Sequence, residues 1–535
     1  MVWKLGEIRG GGAVRVGELE RLCASVLAVS RAPGDELEVG AALESLGWTD
    51  QQVAQRFRMG NVFALATEIW PAVRTRAAAQ LPARARAGPR LGTLAGDARS
   101  FLKGTIFAAP MVISIFAMLI LRYSLWAYQY LTTERATAIA LAMVLSFLAT
   151  GGFTQAIARR GLMYVVQSEY GMARRMTFLL ARIGALVSAV LAAGLFLTGM
   201  VFPLFPPAMT LSIVSHFLLL CAMWLSLTIF YMLRAEVLFT VLVGAGTWLT
   251  WALHERFHVP ITTAQGVALG ATSAAGILLA AILFAREERR KGSRGSPRMP
   301  RMSIVAYTVA PYFAYGFLFF LFLYLDRLMA WSAHSAFMPY VIWFRGDYEL
   351  GLDWAMMGLV LPLGVIEVLI SRFSARLSDL QKEYTCARIR LFNSRQYRAY
   401  RGSLLLCCAA AAAGMLVPPV LLDIAHRLLP GGAGCALDPV SVFTLCTASI
   451  AYALLAPCML NCLVLFSLSV PGPAVAGMVA GLIVNCLVGF LLTRLWHYAL
   501  ATCGLIAGVI VFLFFTTRAC KRVLSRMDYH LYAAA

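Results

Sequence analysis

Between residues 104 and 517 the sequence is a succession of long apolar runs, and this limits the fold more than any other feature. A run of about 20 apolar residues crosses a bilayer core of about 30 Å as a helix. No water is present there to satisfy backbone groups, so only helices or closed barrels span it. Barrel strands alternate polar and apolar residues, whereas stretches such as 179–201 and 409–422 do not alternate. The sequence predicts spans at 104–122, 136–157, 177–201, 209–232, 236–253, 263–285, 304–325, 350–371, 403–423, 441–466, 472–493 and 498–517. Only 13% of the 535 residues are charged, against about 25% in soluble domains, so a soluble fold of this size is excluded.

The net charge of +20 would suggest nucleic acid in a soluble protein. Here the basic residues sit in the hydrophilic connections, where topology and anionic lipid headgroups account for them. Arg159, Arg160, Arg174 and Arg175 follow span two. Arg286, Arg289, Arg290, Lys291, Arg294, Arg298 and Arg301 follow span six. Arg372, Arg376, Lys382, Arg388, Arg390, Arg395, Arg398 and Arg401 follow span eight, and Arg518, Lys521, Arg522 and Arg526 close the chain. With twelve spans all of these share one side with the basic stretch before span one. The positive-inside rule then predicts both termini in the cytoplasm of a multi-pass protein of the bacterial inner membrane. The opposite connections, such as 203–208, 255–260 and 422–438, are poorer in basic residues. Residues 1–20 lack the apolar core of a signal peptide, so the first span is expected to direct insertion. Twelve cysteines are scattered without metal or disulfide spacing, and most lie in spans, where Cys packs as a small hydrophobe.

Residues 1–100 read as a cytoplasmic helical module followed by a basic linker. Pro33, Gly34 and Asp35 separate two helices. Thr49 and Gln52 form a capping box, and Asn61 caps a helix from Val62 to Ala77. Leu43, Leu46, Val53, Phe57, Val62, Phe63, Leu65 and Ile69 supply a small core. The second helix lacks the dense basic face of a DNA-reading helix-turn-helix, which leaves a docking or regulatory module. From Arg74 to Lys103 the sequence turns Ala-, Arg- and Pro-rich, with Arg76, Arg84, Arg86, Arg90 and Arg99 approaching the membrane.

The basic loop at 286–303 divides the spans six and six, and each half carries its most basic internal loop after its second span. That is the pattern of transporters built from repeats with a path between the halves. The expected fold is an all-α integral membrane protein of about twelve transmembrane helices in two pseudo-symmetric six-helix bundles. Its domains are 1–100, 101–295 and 296–535. No phosphate loop, nucleophile elbow or HExxH motif is present, and the seven histidines do not cluster, so neither an enzyme nor a cofactor is expected.

The chemistry then rests on ionisable groups in or beside spans, which are costly in hydrocarbon and turn towards protein or a watery cavity. Arg182 lies about two turns into span three; it either faces a cavity or snorkels. Glu367, one turn from Arg372, is a cavity carboxylate or an interfacial ion pair. His216 reads as a hydrogen-bonded packing residue. Asp326 and Arg327 end span seven, ahead of Trp331. They are either an outer-surface anchor or a fixed charge pair at the outer mouth of a central cavity. Arg159 and Arg160 complete the candidate path.

The stretch Gly316-Phe-Leu-Phe-Phe-Leu-Phe-Leu-Tyr-Leu-Asp326-Arg327-Leu-Met-Ala-Trp331 resembles a segment of the Pel-type exopolysaccharide transporter family. In that family an apolar span also ends in an Asp and a basic residue with an aromatic shortly after. The layout from Asp347 and Tyr348 to a span with Pro362, and the region from Phe153 to Arg175, are similar too. The family belongs to the multidrug, oligosaccharidyl-lipid and polysaccharide (MOP) exporter superfamily. The resemblance implies two bundles around a central cavity and movement of an exopolysaccharide or lipid-linked glycan by alternating access. A basic cavity would favour acidic sugars. The implied partners are membrane lipids, the glycan, and a cytoplasmic glycosyltransferase or other export components, with no nucleic acid. Two alternatives stand beside it: a cation-coupled small-molecule exporter of the same fold, and a membrane scaffold recruiting a glycosyltransferase.

Overall fold

The structure is a computed structural model that describes residues 12–30, 33, 35–80, 92–121, 123–126, 132–202, 204–233, 235–291, 299–333, 338–383, 389–428 and 437–534. Of the expected basic stretches, Arg84, Arg86, Arg90, Arg294, Arg298 and Arg388 lie outside these residues, as do residues 1–11 of the N-terminus and 429–436 of the expected outer connection. The chain divides into two compact units, 1–97 with 372–392, and 98–371 with 393–535.

The smaller unit is built on four helices, α1 (Gly12–Val29), α2 (Glu36–Ser45), α3 (Asp50–Phe57) and α4 (Val62–Gln80). The starts of α2, α3 and α4 are each set by a side chain that accepts from a free backbone amide of the first turn. Asp35 accepts from the Glu38 amide, and Thr49 and Gln52 form the expected reciprocal box. Asn61 accepts from the Ala64 amide. Leu43, Val53, Phe57, Val62, Leu65 and Ile69 are buried as expected, together with Leu22, Val26 and Val39. Leu46 and Phe63 differ, being 39% and 44% exposed. Leu46 is the cap residue after α2 and Phe63 lies in the first turn of α4. The Arg56 guanidinium donates to Glu18 at 2.8 Å and holds that carboxyl below its usual range. In the same unit Arg372 clasps Asp97 through two hydrogen bonds of 3.0 and 2.6 Å.

The larger unit is the membrane part. Twelve helices among the described residues are long and apolar enough to cross a bilayer, and each overlaps one expected span. The first six are α5 (Gly92–Leu121), α6 (Thr133–Val166), α7 (Tyr170–Val201), α8 (Pro207–Met232), α9 (Glu236–Trp251, continued by one π-helical turn) and α10 (Ile261–Lys291). Span seven is α11 (Met302–Trp331). Span eight is α12 (Gly346–Met357) followed by α13 (Val360–Glu383), and span nine is α14 (Ile389–Gly414) followed by α15 (Val417–Leu428). The chain ends with α16 (Pro439–Ser467), α17 (Gly472–Leu495), α18 (Ala501–Ser525) and the short α19 (Met527–Ala534). Among the described residues there is no β-strand.

Several helices outrun their apolar cores, because leaving the hydrocarbon does not by itself break a helix. The expected basic loop after span two is therefore mostly helix. Only 167–169 separate α6 from α7, with Ser168 in the left-handed region. Spans eight and nine do break, at Gly358 and after Gly414, and the two breaks touch. A methyl group on Gly358 would stand 3.0 Å from the Gly414 carbonyl oxygen, so backbone approaches backbone directly.

Within the first bundle α8 packs against α6, α7 and α10; within the second α18 packs against α16 and α17, and α12 against α16. Two close glycine approaches are among the contacts that join the bundles in the larger unit. On α6 and α11, Gly151 and Gly316 meet backbone to backbone. On α5 and α13, a methyl on Gly104 would come within 2.6 Å of the Leu363 carbonyl oxygen, beside Gly364. Span two thus meets span seven, and span one meets span eight. This exchange is what a two-fold relation between six-helix halves requires.

Candidate functional site

Between the bundles lies a cavity of about 610 Å³. Its walls are the later half of α5, the first half of α6, the end of α11 and all of α12, with Trp224 and Leu227 late in α8 and Phe239 early in α9, so it runs from the α11–α12 end of the helices down into the first bundle. The two walls differ in chemistry. The first bundle contributes apolar and aromatic surface, including Phe107, Trp126, Phe147, Trp224 and Phe239, with Ser114 as a polar group. Among the described lining residues every charged side chain comes from the second half of the chain: Arg327, Asp347, Glu349, Asp353 and Asp438.

The charged wall is organised around Arg327, only 2% exposed. A buried guanidinium is tolerated when each face meets a partner. Its Nε donates to Glu349 Oε2 at 3.0 Å, and its Nη1 donates to the Leu323 carbonyl at 3.3 Å. Its plane lies 4.8 Å over the Tyr324 ring. The second Glu349 oxygen accepts from Trp331 Nε1 at 3.0 Å. Asp326 takes the Tyr348 hydroxyl at 2.8 Å. Asp353 makes no hydrogen bond or ion pair among the described residues, although it lines the cavity. Asp347 accepts from the Tyr498 hydroxyl, and Arg345 covers the Tyr498 ring at 4.7 Å. The aromatic wall is continuous with this cluster. Phe147 stacks on Trp224 at 4.4 Å and on Tyr324 at 5.3 Å, so one ring system links the first bundle to the face that holds Arg327.

The sequence-derived candidates fall in three places. Asp326 and Arg327 are not a terminal pair at the mouth. The helix runs on to Trp331, and the two side chains diverge, because neighbours i and i+1 on a helix do not face each other. Arg327 turns to Glu349 and Asp326 to Tyr348. Trp331 is buried and is no interfacial anchor. Glu367, Arg159 and Arg160 sit at the opposite, closed end. Glu367 pairs with Lys103 at 3.2 Å, with Glu236 also 3.9 Å from that amine, and not with Arg372. Arg159 donates to Ser469 at 2.8 Å and covers the Tyr312 ring at 4.7 Å; Arg160 donates to Thr308. Arg182 is exposed on α7 and is not among the residues that line this cavity. His216 is buried, with Nδ1 2.8 Å from the Ser212 carbonyl oxygen.

Sequence reasoning missed Glu349, Asp353 and Lys103. Asp353 carried a signal, a carboxylate inside an expected span, as Glu367 is. Glu349 fell one residue before the expected start of span eight, so it read as loop.

No protein-family model matches the chain, and no curated protein matches it. Solved structures do. A MATE transporter of Vibrio cholerae is matched over 82% of this chain and 100% of its own, with TM-score 0.57 and 15% identity. A MOP superfamily transporter from Pyrococcus furiosus is matched over 80% of this chain and 96% of its own, with TM-score 0.55 and 14% identity. A MATE family multidrug resistance transporter in an outward-facing conformation gives TM-score 0.53 at 11% identity, over 80% and 96% of the two chains. The membrane part of this chain therefore has the MATE-like transporter fold.

Proposed function

We propose that the chain is an alternating-access transporter of the inner membrane, with both termini cytoplasmic, whose cargo is an amphipathic small molecule carrying positive charge. The observation behind this reading is the two-faced cavity, with aromatic surface on one bundle and four carboxylates against one guanidinium on the other. An aromatic wall stacks flat rings and attracts cations. The unpaired Asp353 offers a charge for a cationic group. The excess of carboxylate over Arg327 calls for a counter-cation whenever cargo is absent, which supports coupling to a proton or metal cation. The Pyrococcus furiosus structure is described as having a binding pocket of reversed polarity suggesting a different function. Pocket polarity thus varies on this fold, and here it must be read from the residues themselves.

The glycan reading keeps one observation in its favour, the resemblance at 316–331, and aromatic walls also stack on sugar rings. The cavity is not the basic one that acidic sugars would need. Its volume suits a drug-sized molecule, so a polymer would have to pass through it in segments.

Purified protein in liposomes decides between them. An imposed proton or sodium gradient is expected to drive uptake of tetraphenylphosphonium, and Asp353→Asn to remove most of it. Uptake of a glucuronate oligomer, unaffected by Asp353→Asn, would instead establish the glycan reading.

A further inference from the structure

The segment joining α11 to α12 belongs by sequence to the second bundle, yet residues 338–345 are fastened to the first. The side chains of Tyr340 and Ile342 turn towards it. Tyr340 and Ile342 pack against the cluster formed by Ala138, Leu141, Ile213 and Phe217 of α6 and α8. Between them Val341 is 69% exposed. The Tyr340 ring meets Phe205 at 5.6 Å, and its hydroxyl donates to Glu134 at 3.4 Å. The Phe344 amide donates to Thr137 Oγ1 at 3.1 Å.

The same segment is tied back to the charged wall. The Trp343 amide donates to the Trp331 carbonyl at 3.0 Å. Phe344 lines the cavity and lies 5.8 Å from the Trp331 ring, whose Nε1 holds Glu349. The chain bends over 339–342 and lays Tyr340 and Ile342 on an apolar surface. That surface belongs to the opposite bundle.

We infer that residues 338–345 are a strap across the cavity mouth, which must come off α6 before the two bundles can part at that end. This rests on the alternating-access reading above. Two bundles joined by the mid-helix glycine contacts and, beyond them, by Arg159, Arg160 and Lys103 part at the other end by rotating about that joint. The Tyr340 and Ile342 side chains and the Phe344 amide cross the line of separation, so the mouth opens only when they leave α6 and α8. The link through Trp331 and Glu349 connects that release to the charge state of the wall. A cation arriving at the carboxylates changes the partner that positions Trp331, and Trp331 carries the strap's backbone and Phe344. Most of the fastening is apolar contact, with two hydrogen bonds fixing register, so it is reversible.

The test measures access and needs no cargo. A Thr137→Cys, Phe344→Cys pair lies within disulfide reach, since a 3.1 Å contact from the Phe344 amide to Thr137 Oγ1 places the two Cα atoms no more than about 7 Å apart. Met111→Cys inside the cavity is labelled with a polar maleimide in purified full-length protein, and modification at that position is followed by peptide mass analysis. With the 137–344 disulfide formed, labelling of Met111→Cys is expected to slow at least about tenfold, and to recover on reduction. Thr137→Val, which removes only the acceptor hydroxyl, is expected to accelerate it. Equal labelling with the disulfide formed and reduced overturns the strap, whatever the transport result. A strap that gates labelling in a protein that moves no cargo in any liposome experiment would instead remove the transporter reading and leave the strap in place.

Discussion

Glu349 and Asp353 lie one helical turn apart on α12, yet they hold opposite positions energetically. Glu349 spends both oxygens on Arg327 and Trp331. Asp353 spends none on the described residues. Removing one partner of a buried ion pair costs about 3–5 kcal/mol, because the other charge is left unpaired. Glu349→Gln is therefore expected to lower stability by an amount on the order of 3 kcal/mol, seen as a clear fall in the thermal unfolding midpoint in detergent. Asp353→Asn should stay within about 0.5 kcal/mol of the parent while removing cation binding. Equal destabilisation by the two would mean that Asp353 is a structural group. The sequence singled out an Asp-Arg pair near Trp331, because ionisable groups in apolar runs are costly. It did not show that Arg327 reaches Glu349, 22 residues on, since that contact depends on how α12 folds back against α11.

At the scale of helices, hydropathy was a sufficient guide to existence and a poor one to continuity. All twelve spans were legible because each apolar run must cross the same thickness of hydrocarbon. The breaks at Gly358 and Gly414 were not, since a glycine within a span reads the same whether it breaks a helix or lets another approach. The structure separates these uses. Gly316 faces the Gly151 backbone, whereas nothing lies within 4 Å of a methyl placed on Gly402. Gly316→Ala is expected to force α6 and α11 apart and to cost about 1–3 kcal/mol. Gly402→Ala, in the interior of α14, should be neutral or stabilise by about 0.5–1 kcal/mol. Thermal unfolding of the two single variants gives both signs. A stable Gly316→Ala protein would mean that the helices do not approach as closely as the structure places them.

For the whole molecule, the six-and-six division was readable from the basic loop at 286–303, but the pairing between halves was not, because hydropathy carries no information about partners. The structure supplies it at the closed end of the cavity, where two different chemistries occupy related positions. On α6 and α11 the contact is Arg160 to Thr308, with Arg159 over Tyr312. On α5 and α13 it is Lys103 to Glu367, with Glu236 beside it. The Lys103–Glu367 pair is partly exposed, so its worth is at most about 1 kcal/mol. A two-state equilibrium needs no more than that to move about fivefold. Lys103→Glu puts a third carboxylate beside Glu236 and Glu367, and should push α5 and α13 apart. Adding Glu367→Lys restores an opposite charge between the helices. Ser100 and Ser371, whose hydroxyls are 3.4 Å apart across the same two helices, report the separation once both are replaced by Cys. Oxidative cross-linking of that pair is expected to slow about fivefold with Lys103→Glu and to return close to the parent rate in the charge-swapped double variant. A rate that stays slow after the swap would show that the lysine acts through packing and not through its charge. An unchanged rate in both would show that the charge at Lys103 does not hold the closed end.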